Sequence, residues 1–462
     1  MADPVRAVVG LDIGTTEAKA VCLGLDGRVL GLGRAGYGLD AGPDGRAEQD
    51  PGDWWSALSA AVRQLDLAGV DVLAICGATQ GPTLVATDDA GVPVRPAITW
   101  QDRRPGDTGF SLLPRMAWLA REDSVAVLRA VWLLPAWDAL GLWLTGEAAS
   151  SLQAHETPAD AAALEAAGIM PTQVPPPRPV GTALGGLRPM AAAALGLRSG
   201  TPVVCGVNDG AASMLGAGLL EPGDAVDTGG ASGGLAIYAD RAVRVEGLYC
   251  APAPLPGRWA VGGAMAALGA SVDWLRSSLL GDRWTLDELF EEAAAVPAGA
   301  EGLVFLPYLA GERAPVFDDG ARGAFAGLTL AQGRGHLMRA VLEGAAYAMR
   351  HVAEPLAAAG APMTSLRLAG RPTPGDLWGR IKADVLGVPV IVPTVGETAV
   401  VGAAILAAAG VGAVPGLAAG VAAMAGAARV LEPDPAVRDL YAAGFVQYRA
   451  LHPALRGAGI GG

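Results

Sequence analysis

Apolar and polar positions along the start of the chain predict strand, turn, strand. Val8-Val-Gly-Leu11 is an apolar run that breaks at Asp12-Ile-Gly14-Thr15-Thr16. Alternation then resumes, with Ala18, Ala20 and Cys22 set against Lys19, Val21 and Leu23. Asp26-Gly27 marks a two-residue turn into another strand at Val29-Leu30. Asp50-Pro51 opens a helix, with Asp as N-cap and Pro at the first helical position. Trp54, Leu58, Ala61, Val62 and Leu65 form its buried face. Val70 to Cys76 reads as a buried strand that ends in the loop Gly77-Ala-Thr-Gln80-Gly81. Pro96 to Trp100 reads as another, delivering Trp100-Gln-Asp102-Arg103-Arg104 into a loop. Leu112 to Gly146 reads as helices, with Trp118, Trp132, Trp137 and Trp143 in the core. Thr201 to Val207 is a short strand, followed by Asn208-Asp209-Gly210 and a small-residue helix from Ala211 to Gly218.

The second half repeats this plan. Ala225-Val-Asp227-Thr-Gly229-Gly230-Ala231-Ser232-Gly233 is again a strand running into an Asp-x-Gly turn. Ser365 to Gly370 mirrors Val72 to Gly77, a strand ending in a glycine loop. A helix is expected from Leu377, with Trp378, Ile381 and Val385 on one face, and an Ala-rich helix from Glu397 to Ala409. Two such hairpins at the heads of two halves predict a duplicated α/β architecture. Glu221-Pro222-Gly223 reads as the boundary, giving domains 1–221 and 222–462.

Composition narrows the function classes. A net charge of −13 with no basic stripe argues against nucleic-acid binding. The four cysteines are far apart, so neither a zinc site nor a disulfide framework is indicated, which fits a reducing cytoplasm. The N-terminus has no signal-peptide pattern. The uncharged stretch Val400 to Ala428 is broken by Gly410, Gly412, Pro415, Gly416 and Gly420. Two short buried helices and a loop are expected there rather than a membrane span.

The first hairpin is a candidate phosphate site. Gly14 permits a sharp turn and close approach, and Thr15 and Thr16 add hydroxyls to a row of backbone amides. A carboxylate beside a phosphate is repulsive without a cation between them, so Asp12 implies Mg²⁺. A polar surface turn would look the same. Asp209, at a strand–helix junction among small residues, is the candidate proton acceptor, although Asp is also a common N-cap. Lys19 is one of only two lysines, with Lys382, and suits a cation near phosphates; a solvated lysine is the alternative. No P-loop, no Gly-x-Ser-x-Gly elbow and no His-x-x-x-His pair occurs, and the four scattered histidines read as structural or solvated.

The order and spacing of five segments resemble the FGGY family of carbohydrate kinases. They are Gly10-Leu-Asp12-Ile-Gly-Thr-Thr-Glu-Ala-Lys19, Ile98-Thr-Trp-Gln-Asp-Arg-Arg104, Gly206-Val-Asn-Asp209, Phe305-Leu-Pro-Tyr-Leu-Ala-Gly-Glu-Arg313 and Ala383-Asp-Val-Leu-Gly-Val-Pro-Val390. The resemblance implies two ribonuclease-H-like, actin-like ATPase domains with a cleft for Mg·ATP and a sugar or polyol. By motif position it implies Asp209 as catalytic base and Asp12 as the metal-side carboxylate. Gly14, Thr15, Thr16 and Lys19 match the first phosphate loop. Gly230, Ser232 and Gly233 match the second. Gly370 and Arg371 fall in the nucleotide loop, and Gln80, Gly81, Trp100, Asp102, Arg104 and Asn208 on the sugar side. Glu312-Arg313 matches a signature read as structural support. The implied partner is a small-molecule sugar or polyol, with neither nucleic acid nor membrane, and a homodimer is one option for assembly.

The departures are specific. The second loop reads Gly230-Ala231-Ser232-Gly233 where the family has Gly-Thr-Ser-Gly, one hydroxyl fewer. The nucleotide loop reads Gly370-Arg371-Pro372-Thr373-Pro374-Gly375 where glycines are usual. The sugar loop reads Ala78-Thr79-Gln80-Gly81 where xylulokinases have Gln-Met-His-Gly, and Gly210 replaces a usual Gln or Asn. The expected activity is ATP-dependent phosphorylation of a ketopentose such as xylulose. Ribulose, glycerol, gluconate or erythritol are alternatives. So are a non-catalytic sugar or nucleotide binder and a chaperone- or actin-like ATPase.

Overall fold

The computed structural model describes residues 3–106, 111–151, 160–370 and 374–461. It divides into two compact units, one of residues 1–218 and 398–426, the other of residues 219–397 and 427–462.

The first unit is built on a six-stranded sheet. Its strands are β1 (Val5–Ile13), β2 (Glu17–Gly24), β3 (Val29–Gly36), β4 (Val70–Thr79), β5 (Ala183–Gly186) and β6 (Pro202–Asn208), in the order β5-β6-β4-β1-β2-β3. β1, β2 and β3 form an antiparallel meander, β4 and β6 add in parallel, and β5 closes the edge antiparallel. Helix α1 (Pro51–Arg63) starts where Asp50 accepts the Gly52 amide and buries Trp54, Leu58, Ala61 and Val62 in the core of this unit. Helix α2 (Asp209–Gly216) follows β6 directly.

The second unit repeats the plan. β7 (Asp224–Asp227), β8 (Gly234–Ala239), β9 (Tyr249–Pro252), β10 (Trp259–Ala264), β11 (Ser365–Leu368) and β12 (Val390–Pro393) run in the order β9-β10-β8-β7-β11-β12. β7, β8 and β10 are antiparallel neighbours, and β11 and β12 are parallel additions. Only β9 has no counterpart in the first sheet. α3 (Leu377–Leu386) connects β11 to β12, and the 25-residue helix Arg334–Ala358 fills the core of this unit.

The chain then returns. Helix α4 (Thr398–Gly410) belongs to the first unit, and β13 (Ala427–Leu431) pairs antiparallel with β12 to finish the second sheet. The segment 398–426 therefore departs from the sequence-based division, which kept everything after 221 in the second half. The physical reason is a glycine seam. A Cβ added at Gly10 would stand 1.9 Å from the Val400 carbonyl, one at Gly216 1.9 Å from Thr398 O, and one at Gly402 1.8 Å from Ala212 O. Only hydrogens at these positions let α4 lie backbone to backbone on β1 and α2.

Two other expectations need correcting. Leu112 to Gly146 is not all helix: Trp132–Pro135 is a strand, paired antiparallel with Leu84–Thr87. A continuous apolar run of four residues has no period to separate strand from helix. The helix after Asn208 begins at Asp209 rather than Ala211. Among the described residues no helix is long and apolar enough to cross a membrane; the uncharged stretch folds as α4 and a short helix, Leu417–Met424.

Candidate active site

In the first unit β1 delivers Asp12, 3% exposed, to the end of the sheet, and register sets Lys19 of β2 opposite it. Lys19 Nζ is 3.9 Å from Asp12 Oδ2 and 3.7 Å from Glu17 Oε1. The turn between the strands is closed by the Gly14 amide on Glu17 O at 3.1 Å. The Thr15 carbonyl accepts Gln49 Nε2 at 2.8 Å, and Thr15 Oγ1 accepts the Trp100 indole at 3.1 Å.

Tyr37, which the sequence did not single out, belongs to this turn. Its hydroxyl donates to the Gly14 carbonyl, and its amide to Thr16 O at 3.1 Å. Burial, then the charges of Asp12, Asp209 and Glu17, push its phenol well above the ordinary value. It is a neutral donor set among three carboxylates.

Asp209 opens α2, but it is not the cap. Asn208 Oδ1 accepts the Ala211 amide at 2.7 Å, and Asp209 Oδ1 accepts the adjacent Gly210 amide, at 2.8 Å. Burial pushes the Asp209 carboxyl up to about 6, against the lowering influence of the Gly210 amide and the Lys19 charge. Asp12, Lys19, Tyr37 and Asp209 therefore share one electrostatic environment. Asn208, expected to meet substrate, spends its side-chain oxygen on the helix end.

The residues expected on the sugar side sit around a relay of amides. Trp54 Nε1 can only donate, and it donates to Gln49 Oε1 at 3.1 Å. That fixes Gln49, whose Oε1 also takes Gln80 Nε2 at 2.7 Å. Gln80 is thereby oriented; its Oε1 is buried and finds no partner among the described residues. A Cβ on Gly81 would meet the Trp137 ring at 2.7 Å, so this loop lies flat against that indole. Trp100 remains 37% exposed. Asp102 and Arg104 are spent on each other. Arg104 Nε donates to Asp102 Oδ1 at 3.0 Å, and Arg104 also reaches Glu48 Oε1 at 2.5 Å while its guanidinium lies 4.4 Å over the Trp118 ring. Burial alone would raise Asp102, but Arg104 and the Ala47 and Arg104 amides hold it below the usual carboxylate range. This pair braces the loop that carries Trp100.

The second unit has its own pocket. It is lined by Gly229, Gly230, Gly233, Gly269 and Gly370, by the apolar walls Leu268, Leu368, Trp378 and Val392, and by Asp227 and Lys382. Gly229, Gly230 and Gly233 all have positive φ, +64°, +79° and +87°, the conformation that glycine adopts without strain. Leu268 N donates to Ser232 O at 2.9 Å, which ties the turn to the 265–268 loop. Glu312 holds that loop from behind, accepting the Ala266 amide at 2.9 Å, while Arg313 donates to Met265 O at 2.8 Å. Burial pushes Glu312 up to about 7 against these amides and Arg313. Gly370 N donates to Gly396 O at 2.8 Å. Arg371, Pro372 and Thr373 lie outside the described residues. So does His155; of the other histidines, His336 and His452 pair with Glu301 and Asp318.

Among the described residues no group of three or more His, Cys, Asp or Glu is gathered to cage a metal. The buried Asp12 carboxylate fits Mg²⁺, an ion commonly held through one or two carboxylates plus the phosphates of its nucleotide.

Residues 7–113 match the model of the N-terminal domain of the FGGY family of carbohydrate kinases, and residues 229–411 match the model of the C-terminal domain. The chain belongs to this family; it is a carbohydrate kinase, an enzyme that transfers a phosphoryl group to a small molecule. It is 29% identical to a xylulose kinase of Staphylococcus epidermidis, over 97% of this chain and 96% of that one. It is 33% identical to a glycerol kinase of Thermus brockianus, over 86% and 89%. The crystal structure of a xylulose kinase from Rhodospirillum rubrum superposes with a TM-score of 0.85 at 31% identity, covering 98% of this chain and 99% of that one. The fold is accordingly the two-domain actin-like ATPase fold of these kinases.

Proposed function

We propose that the protein transfers the γ-phosphoryl group of ATP to a hydroxyl of a ketopentose such as xylulose. The observation that carries this reading is the division of labour between Asn208, which caps α2, and Asp209, which does not. A carboxylate relieved of capping, held beside Lys19 and pushed up to about 6, is suited to receive a proton near neutral pH. The acceptor hydroxyl gives its proton to Asp209 as its oxygen bonds to the γ-phosphorus, and the bond from phosphorus to the ADP oxygen breaks. Lys19 and the amides of Thr15 and Thr16 would bear on the phosphate charge. Asp12 would hold Mg²⁺, which would neutralise phosphate charge. The glycine-lined pocket of the second unit would take the nucleotide.

On the acceptor side, the oriented Gln80 leaves a buried acceptor that a substrate hydroxyl would satisfy. A ketopentose is favoured because xylulose kinases stand among both the sequence relatives and the superposed structures. Glycerol is the second reading, carried by the identity to a glycerol kinase. The test is ADP release from Mg·ATP across ketopentoses, hexuloses, pentitols, glycerol and gluconate, with Asp209→Ala as control. Turnover on xylulose that the control lacks supports the proposal. Turnover confined to glycerol replaces the acceptor, and silence throughout overturns the reading.

A further inference from the structure

The chain carries 33 basic side chains, of which two are lysines. Each lysine stands against the aspartate at or next to the end of the first strand of one hairpin, Lys19 against Asp12 and Lys382 against Asp227. They arrive from different elements, Lys19 from the neighbouring strand and Lys382 from α3. The duplication of the fold does not by itself produce this match, because β8 places Leu235, not a lysine, opposite Asp227.

Lys382 is 6% exposed and lines the pocket. Its ammonium donates to Asp227 Oδ2 at 2.6 Å and lies 4.0 Å over the Trp378 ring. The other oxygen of Asp227 accepts the Gly229 amide at 2.9 Å. One carboxylate therefore fixes both the first amide of the glycine turn and the lysine beside it. An ammonium has three N–H donors, and among the described residues one hydrogen bond is made. At Gly230 a Cβ would meet nothing within 4 Å, so the turn faces open space. A buried ion pair stabilises a fold no better than apolar residues of the same size, so stability alone does not account for a charged pair in the wall of a pocket.

We propose that Lys382 is the cation that receives a phosphate of the nucleotide in the second unit, and that Asp227 is the residue that positions it. This rests on reading the pocket as a nucleotide site. A compact ammonium fits where glycines bring the backbone close.

The test is calorimetric binding of ADP and of adenosine, which has no phosphate. Lys382→Met alone would strand a buried carboxylate, so the main variant is Asp227→Asn/Lys382→Met, a neutral pair of nearly the same shape. Its ADP affinity is expected to fall about tenfold or more, with adenosine held within about twofold. Wild-type ADP affinity should also fall more steeply with salt than that of the variant. Lys382→Gln, which keeps a neutral donor to Asp227, gives the same selective loss if the double variant does not fold. Equal weakening of ADP and adenosine, or no weakening of either, overturns the role of Lys382 while leaving the nucleotide reading intact. A wild type that binds no ADP overturns both.

Discussion

Asn208 and Asp209 are adjacent and take different work: the Asn208 side chain closes the N-terminus of α2, and Asp209 faces Lys19 and Tyr37 electrostatically instead. Asp209→Asn keeps the shape and the Gly210 hydrogen bond but cannot take a proton. Turnover is expected to fall by about 10² to 10⁴, the usual contribution of a positioned base. ADP affinity, measured calorimetrically, is expected to stay within about twofold. Near-wild-type turnover in the variant would remove Asp209 from the mechanism.

The raised carboxyl has a pH signature with a definite sign. A base works ionised, so kcat/KM should fall with falling pH through about 6, tenfold per unit, and this limb should be missing from Asp209→Asn. The same shift favours the protonated form in the folded state, so above pH 6 the ionised group opposes folding. Asp209→Asn should therefore melt higher than wild type at pH 8, with the gap closing as pH falls through 6 toward the unfolded carboxylate value. A lower melting temperature at pH 8 would contradict this.

Tyr37→Phe removes the hydrogen bond to the Gly14 carbonyl and little else. A loss of about 1 kcal/mol in denaturant-measured stability is expected. The KM for ATP should rise while that for the acceptor changes little. An unchanged KM for ATP would show that the turn holds its shape without the phenol.

The glycine seam predicts a large and local penalty. Gly402→Ala drives a methyl group into the Ala212 carbonyl, so backbone must move, at a cost of about 2–4 kcal/mol. Gly457→Ala is the control: it lies in a helix with nothing within 4 Å of the added carbon, and should be neutral or stabilising by up to about 1 kcal/mol. Urea melts of the two variants check the contrast.

Legibility followed the range of the signals. The Asp12 and Asp227 hairpins were readable because period-two alternation and a glycine turn are local, and so was α1, marked by Asp50-Pro51. Lys19 was visible by its rarity and by the motif that it ends. Tyr37 and Gln49 were missed, since they reach the first turn only after β3 and its following loop fold back. Tyr37 carried no spacing that sequence could use. Gln49 was signalled only by standing just before the Asp-Pro helix start. Lys382 was conspicuous by rarity, yet its partner lies 155 positions away. Asp102 and Arg104 were singled out for a ligand, but their contacts with Glu48 and Trp118 depend on tertiary packing that no local pattern encodes. α4 looked like part of the second half because its glycines show nothing of whose backbone they meet.

That last arrangement orders events on the ribosome. The carbonyls of Val400 and Thr398 cover Gly10 and Gly216, so the first unit stays unfinished until residues 398–426 have been made. At ordinary elongation rates, on the order of 10 residues per second, β1 and α2 wait many seconds with an uncovered face while residues 219–397 emerge. A nascent chain halted before Thr398 thus offers that face to chaperones, and emergence of residues 398–431 becomes the step that commits both units to their final form.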